Sequence, residues 1–334
     1  MKKILFVVLI SAISLIAGWF GRDFFKHKND KIQQITEKVL PRPLNNYSFE
    51  NLIATQIPSE KIEIGEILND EKSFTTHSFR IYLDPTLKAG PKKKVTGILN
   101  IPKGQGPFPV IVMFRGYVDQ QIYKPGMGTG RAAKYFAENG FITIAPDFLG
   151  YGDSDSQTEN IFEARFQTYT TGLILVKSLD AFPMWDGKNI FIWGYSNGGQ
   201  IAITVLEILG IPIPTSLWAP VSKPFPYSVL YYTDESEDRG KFIRQELAKF
   251  EQVYDPDLYA IDLYYDRITA PIQLQQGTND DVVPKKWSDE LYHSLDKQGI
   301  SVQYFVYPEA DHDLKTAWNR VVARDVIFFK KFLR

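Results

Sequence analysis

The sequence predicts an α/β domain built on a mostly parallel sheet with helices on both faces, and three observations predict it. Short continuous apolar runs recur: PVIVMF (109–114), FITIAP (141–146), NIFIWG (189–194), PTSLWAP (214–220), PIQLQQG (271–277) and VQYFVYP (302–308). Amphipathic segments of helical length, such as GRAAKYFAENG (130–140) and KKWSDELYHSLDKQG (285–299), separate most of them. The third is NIFIWGYSNGGQIAITVLEIL (189–209), which reads as strand, tight turn and helix. Strands apolar at every position are buried on both faces, the condition of a parallel sheet covered by helices.

The elements follow in order. Lys2 and Lys3 precede ILFVVLISAISLIAGWF (4–20), an uncharged run close to the shortest that spans a bilayer. A cleaved signal needs small residues at −3 and −1, but Leu15 and Ile16 stand three and two positions before Gly18, and Leu15 two before Ala17. Residues 1–21 are therefore expected to be an uncleaved membrane anchor with a translocated catalytic domain; the alternatives are a cleaved signal with secretion, or a buried helix. Residues 22–46, charged and punctuated by LPRP, read as a linker, and the domain proper as 47–334. KIEIGEIL, FTTHSFRIYL and VTGILNIP have the partly alternating, β-branched character of an antiparallel start to the sheet. Residues 221–265 break the strand–helix rhythm with a long aromatic and acidic stretch, read as a cap inserted over the carboxyl edge of the sheet.

Composition excludes several function classes. A chain of 334 residues, 44% of them hydrophobic, buries a sizeable core. Its 38 basic and 39 acidic residues give a net charge of −1, so no field favours nucleic acid. Without cysteine there is no disulfide, thiolate nucleophile or cysteine-ligated metal.

In an open parallel sheet the site lies at the carboxyl ends of the strands. Gly194, Ser196 and Gly198 there form G-x-S-x-G, in which small residues let strand and helix approach while one hydroxyl is held exposed on a strained turn. A serine hydroxyl needs a base, and the base needs a carboxylate that fixes its tautomer. Asp280 follows the strand PIQLQQG, and His312 follows VQYFVYP. Ser, Asp and His in that order match the α/β-hydrolase order. Of the four histidines, His27 lies in the linker, His77 in an early strand and His293 within a helix, so His312 is the candidate base. Asp281 reads as a turn carboxylate, and Asp311 and Asp313 flank the histidine too closely to orient its ring. An oxyanion needs two N–H donors: Asn197, next after the nucleophile, and Tyr117, in the loop FRGYVDQ that follows PVIVMF.

GYSNGG, DRITAP, GTNDDVVP, YPEADHDL and FRGY together resemble the catalytic domain of the prolyl oligopeptidase family of serine peptidases, within the α/β hydrolases, over residues 97–334. The resemblance implies Ser196 as nucleophile, Asp280 as acid, His312 as base, and Asn197 and Tyr117 as oxyanion donors. It also accounts for PDFLGYGDSD (146–155) as a supporting loop. Arg115 stands where relatives often carry histidine, and the chain leaves no room for a set of propeller blades. The expected function is cleavage of peptide bonds through an acyl-enzyme, without metal or organic cofactor. The alternatives are a carboxylesterase acting on small acyl esters and a non-catalytic binding module of the same fold. Phe225, Tyr227, Tyr231 and Tyr232 are candidate pocket walls in the cap, or else pack it onto the domain. Glu235, Glu237 and Asp238 are a candidate ammonium site, or else a solvated turn.

Overall fold

A computed structural model describes residues 42–334. Nine strands form one sheet: β1 (Ile62–Asp70), β2 (Phe74–Leu83), β3 (Lys93–Pro102), β4 (Phe108–Phe114), β5 (Ile142–Pro146), β6 (Trp185–Tyr195), β7 (Thr215–Trp218), β8 (Ile272–Gly277) and β9 (Val302–Tyr307). The order across the sheet is β1-β2-β3-β5-β4-β6-β7-β8-β9. β1, β2, β3 and β5 pair antiparallel in turn, and every later pairing is parallel. The α-helices are α1 (Phe49–Ala54), α2 (Gly130–Glu138), α3 (Ile161–Ser178), α4 (Asn197–Leu209), α5 (Tyr227–Leu230), α6 (Lys241–Glu251), α7 (Lys285–Lys297) and α8 (Trp318–Lys331).

The period-two rule of strands divides the core into two layers. On β4, Val110, Val112 and Phe114 join one layer while Ile111 and Met113 join the other; on β6, Ile192 faces the first and Phe191 and Trp193 the second. Buried residues of α3, α4 and α7 fill the first layer, and those of α2 and α8 the second. Each fully buried Phe or Leu in them contributes roughly 1.5–3 kcal/mol. Helix α4 lies deepest: Gly198 to Ile208 are all buried, and Gly210 ends the helix at φ 62°, left-handed backbone that glycine adopts without strain.

The membrane or signal segment, residues 1–21, and most of the linker lie outside the described residues, and among the described residues no helix is long and apolar enough to cross a membrane. The compact unit starts at Leu44, so the last linker positions pack with the domain: Leu44 is buried and its N–H donates to the Tyr254 hydroxyl at 3.2 Å. The stretch 221–265 folds into short helices, and much of it is core. Phe225, Phe250, Tyr259 and Tyr265 are buried in the first layer, where Phe225 meets Phe162 and Phe166 edge-on. Burying four large rings takes much apolar surface out of water.

Candidate active site

The turn after β6 is shaped by close approach. Ser196 sits at φ 56°, ψ −121°, a strained conformation for a residue with a Cβ, and is 7% exposed. Its N–H donates to Trp218 O at 2.9 Å and its carbonyl accepts from Gly199 N and Val221 N at 2.9 Å each. The ends of β6 and β7 thereby hold the strain. A Cβ on Gly198 would lie 2.0 Å from Phe114 O, so only glycine lets the start of α4 pass the end of β4. A Cβ on Gly116 would lie 3.0 Å from the Ser196 Cβ, which places the FRGY loop against the serine.

Asp280 and His312 come together from the loops after β8 and β9. His312 Nδ1 lies 3.0 Å from Asp280 Oδ1 and 2.9 Å from Oδ2. The Asp280 side chain is 0% exposed and that of His312 is 14% exposed. Asp280 Oδ1 also accepts from Val282 N at 3.0 Å and Val283 N at 2.8 Å, and Oδ2 from Gln276 Nε2 at 2.9 Å. With its remaining lone pairs engaged, the carboxylate aims at the imidazole. A proton on Nδ1 satisfies it and leaves Nε2 as the acceptor.

Tyr117 and Asn197 line one cleft of about 400 Å³, together with Arg165, Tyr151, Gln157 and Ile201. Asn197 opens α4, where the helix N-terminus presents unpaired N–H groups. Arg115 does not disturb the loop that carries Tyr117; it holds it. Its guanidinium is buried, donates to Gly116 O and Asp147 O at 2.9 Å each, and lies 4.0 Å from the Tyr151 ring centroid and 4.7 Å from that of Tyr123. Burial pushes the Asp147 carboxyl upward against bonds from Thr96 and Tyr123 and the charge of Arg115. The loop 146–155 thus supports Arg115 from beneath, and Tyr151 OH donates to Val118 O at 3.0 Å.

Two supporting residues escaped sequence reasoning. Tyr195, the variable position before the serine, places its ring 5.0 Å from that of His312 and donates its hydroxyl to Asp313 Oδ1 at 2.5 Å. Burial and that bond hold the phenol protonated. Gln276, which braces Asp280, accepts at Oε1 from Ser288 Oγ at 2.7 Å. Side-chain identity alone marks neither.

Other candidates resolve by contact. His77 Nε2 lies 2.9 Å from Thr75 Oγ1 on β2, and the His293 ring faces Tyr292 on α7. Asp311 accepts from Lys315 N at 3.0 Å, a loop role. Asp238 caps α6 by accepting from Gly240 N at 2.9 Å and Phe242 N at 2.8 Å, so its oxygens serve a helix start. Tyr231 stacks edge-on to Trp287 at 4.7 Å while Tyr227 and Tyr231 stay 49% and 41% exposed, so these tyrosines pack and still face solvent. Among the described residues no group of three or more His, Asp or Glu is placed to hold a metal ion.

Similarity to known proteins agrees with this geometry. The chain is 26% identical over 253 residues to an acetyl esterase of Xylanibacter ruminicola, covering 68% of this chain and 54% of that protein. It is 38% identical over 141 residues to dipeptidyl peptidase family member 6 of Caenorhabditis elegans, covering 40% of this chain and 18% of that one. It therefore spans about half, or less, of the curated relatives it matches. Among solved structures, an acetyl xylan esterase of Paenibacillus sp. R4 superposes with a TM-score of 0.64 at 17% identity, covering 85% of this chain and 93% of that one. Acetyl xylan esterase 1 of Thermoanaerobacterium sp. gives 0.61 at 15% identity, covering 86% and 94%. At such identities these two likenesses show the fold, that of the α/β hydrolases. The sequence pattern of the prolyl oligopeptidase family matches residues 129–334, the stretch that carries Ser196, Asp280 and His312, and the chain belongs to that family.

Proposed function

We propose that the chain hydrolyses carboxylic esters with a small acyl group, with Ser196 as nucleophile, His312 as base, Asp280 as its orienting acid, and Asn197 and Tyr117 as oxyanion donors. What supports this reading is the hydrogen-bonded, buried Asp280–His312 pair, taken with the strained turn at Ser196 and the cleft that Asn197, next after the serine, shares with Tyr117. Ser196 Oγ attacks the ester carbonyl while His312 Nε2 takes its proton. The backbone N–H groups of Asn197 and Tyr117 hold the tetrahedral oxygen. His312 then protonates the departing alcohol, and water repeats the cycle on the acyl-enzyme. The choice of a small acyl ester is supported by the relative matched over most of this chain, which is named an acetyl esterase.

Peptide cleavage is the second reading, favoured by the family's name and by the 38% identity to a dipeptidyl peptidase family member. Against it, Asp238, one of the three candidate carboxylates for a peptide ammonium, is engaged at the start of α6. Matched 4-nitrophenyl esters and peptide 4-nitroanilides, with Ser196→Ala as the blank, separate the two. Serine-dependent ester turnover with no anilide turnover is expected; anilide cleavage at comparable kcat/KM overturns the preference. A fluorophosphonate probe that leaves Ser196 unlabelled would instead support a non-catalytic module.

A further inference from the structure

The cleft beside Tyr117 and Asn197 holds a positive charge that no acidic side chain meets. Arg165, half-buried on α3, donates through Nη2 to Gln200 Oε1 and to Ser228 Oγ at 3.3 Å, and its Nη1 lies 3.5 Å from Asn197 Oδ1. All three acceptors are neutral. Its Nε is buried with no hydrogen-bond partner, and among the described residues no ion pair joins Arg165 to a carboxylate. Arg115, the other guanidinium in the cleft, also has a buried Nε without a hydrogen-bond partner, but two carbonyls, three aromatic rings and the nearby Asp147 carboxyl surround it, whereas among the described residues no carboxylate pairs with Arg165. Asp119 also lines the cleft, but it is exposed and accepts from Gln121 N at 2.7 Å.

A tie between α3, α4 and α5 needs hydrogen bonds, not a charge; Gln200 already bridges to Lys223 O at 2.9 Å. Half-burying a guanidinium against neutral groups alone carries a desolvation cost that an anion in the cleft would offset. A planar guanidinium beside a cleft suits a carboxylate. We propose that Arg165 is a specificity residue that receives the carboxylate of an acidic substrate, an ester whose acyl chain ends in a carboxyl group. The inference rests on the ester reading for its substrate class but concerns a site of its own.

The test compares mono(4-nitrophenyl) glutarate with 4-nitrophenyl valerate, chains of nearly equal length that differ in the terminal carboxylate. The ratio of kcat/KM, glutarate over valerate, is measured for the wild type, Arg165→Gln and Arg165→Lys, with Ser196→Ala subtracting spontaneous hydrolysis. A fall of about tenfold or more in Arg165→Gln, with partial recovery in Arg165→Lys, is expected. A ratio that stays within about twofold of wild type overturns the proposal, because a purely structural tie lowers both rates together. Calorimetric titration of glutarate into Ser196→Ala, with and without Arg165→Gln, decides the site independently of turnover. Glutarate binding that disappears with the arginine supports it even if no ester is cleaved and the ester reading falls. Equal binding in both, or none in either, overturns it.

Discussion

Ser196 keeps its left-handed backbone because bonds to Trp218, Val221 and Gly199 over-determine the turn and hold a strain of roughly 1–3 kcal/mol. The same economy of contacts governs Asp280, whose two oxygens accept from Val282, Val283 and Gln276 and still face His312 Nδ1. Replacing Asp280 by Asn keeps the shape but offers an amide where the imidazole needs an acceptor. Asp280→Asn is therefore expected to lower kcat by about 10³–10⁴-fold with far-UV circular dichroism unchanged. A loss under tenfold would remove Asp280 from the acid role.

The elements matter through where their ends meet. β4 delivers the FRGY loop, β6 Ser196, β8 Asp280 and β9 His312, and parallel pairing brings all four ends to one edge of the sheet. Helix α8 is pinned beneath that edge: Asp325 accepts from Ser216 Oγ at 2.6 Å and Trp218 Nε1 at 2.7 Å on β7, and from Gln273 at 2.6 Å and Gln275 at 2.5 Å on β8. The approach of α4 to β4 is the tightest of these junctions. In Gly198→Ala the new Cβ meets Phe114 O at 2.0 Å, so strand and helix must separate and carry the serine with them. Loss of soluble protein, or at least about a hundredfold loss of kcat/KM, is expected. Wild-type turnover in that variant would show that the junction has slack.

At the scale of the molecule, two fully buried carboxyls contribute to the response to pH. Burial, against four side-chain bonds, pushes Asp325 up to about 7. Glu207, fully buried on α4 with both carboxyl oxygens unpartnered, is pushed well above its ordinary value by burial and then by Asp262 and Asp266, opposed by Arg267. A carboxyl whose folded pKa is raised is protonated preferentially in the folded state. Its contribution is full below about pH 4 and is lost as pH rises, for Asp325 through about 7. The urea midpoint of the wild type is expected to fall between about pH 5 and pH 8. Glu207→Met removes a polar group that has no partner, and should raise stability at pH 8 by about 1–3 kcal/mol and flatten the slope. A midpoint that is flat with pH in the wild type would rule this account out.

Local pattern determined much of this protein. Apolar runs fixed the parallel strands, alternation fixed the antiparallel start, and G-x-S-x-G between a strand and a helix fixed the turn, because strand burial and tight turns are dictated by neighbours in the chain. Asp280 and His312 were legible too, since each follows a strand whose carboxyl end the parallel topology sends to the same edge. Tertiary structure alone decided what lies beside them. Tyr195 and Arg165 act through contacts with residues 118 and 32 to 63 positions away, and nothing in their own surroundings along the chain marks such partners. The stretch 221–265 depends on packing in the same way: its aromatic residues look alike in sequence, and only packing against α3 separates the buried Phe225 from the half-exposed Tyr227.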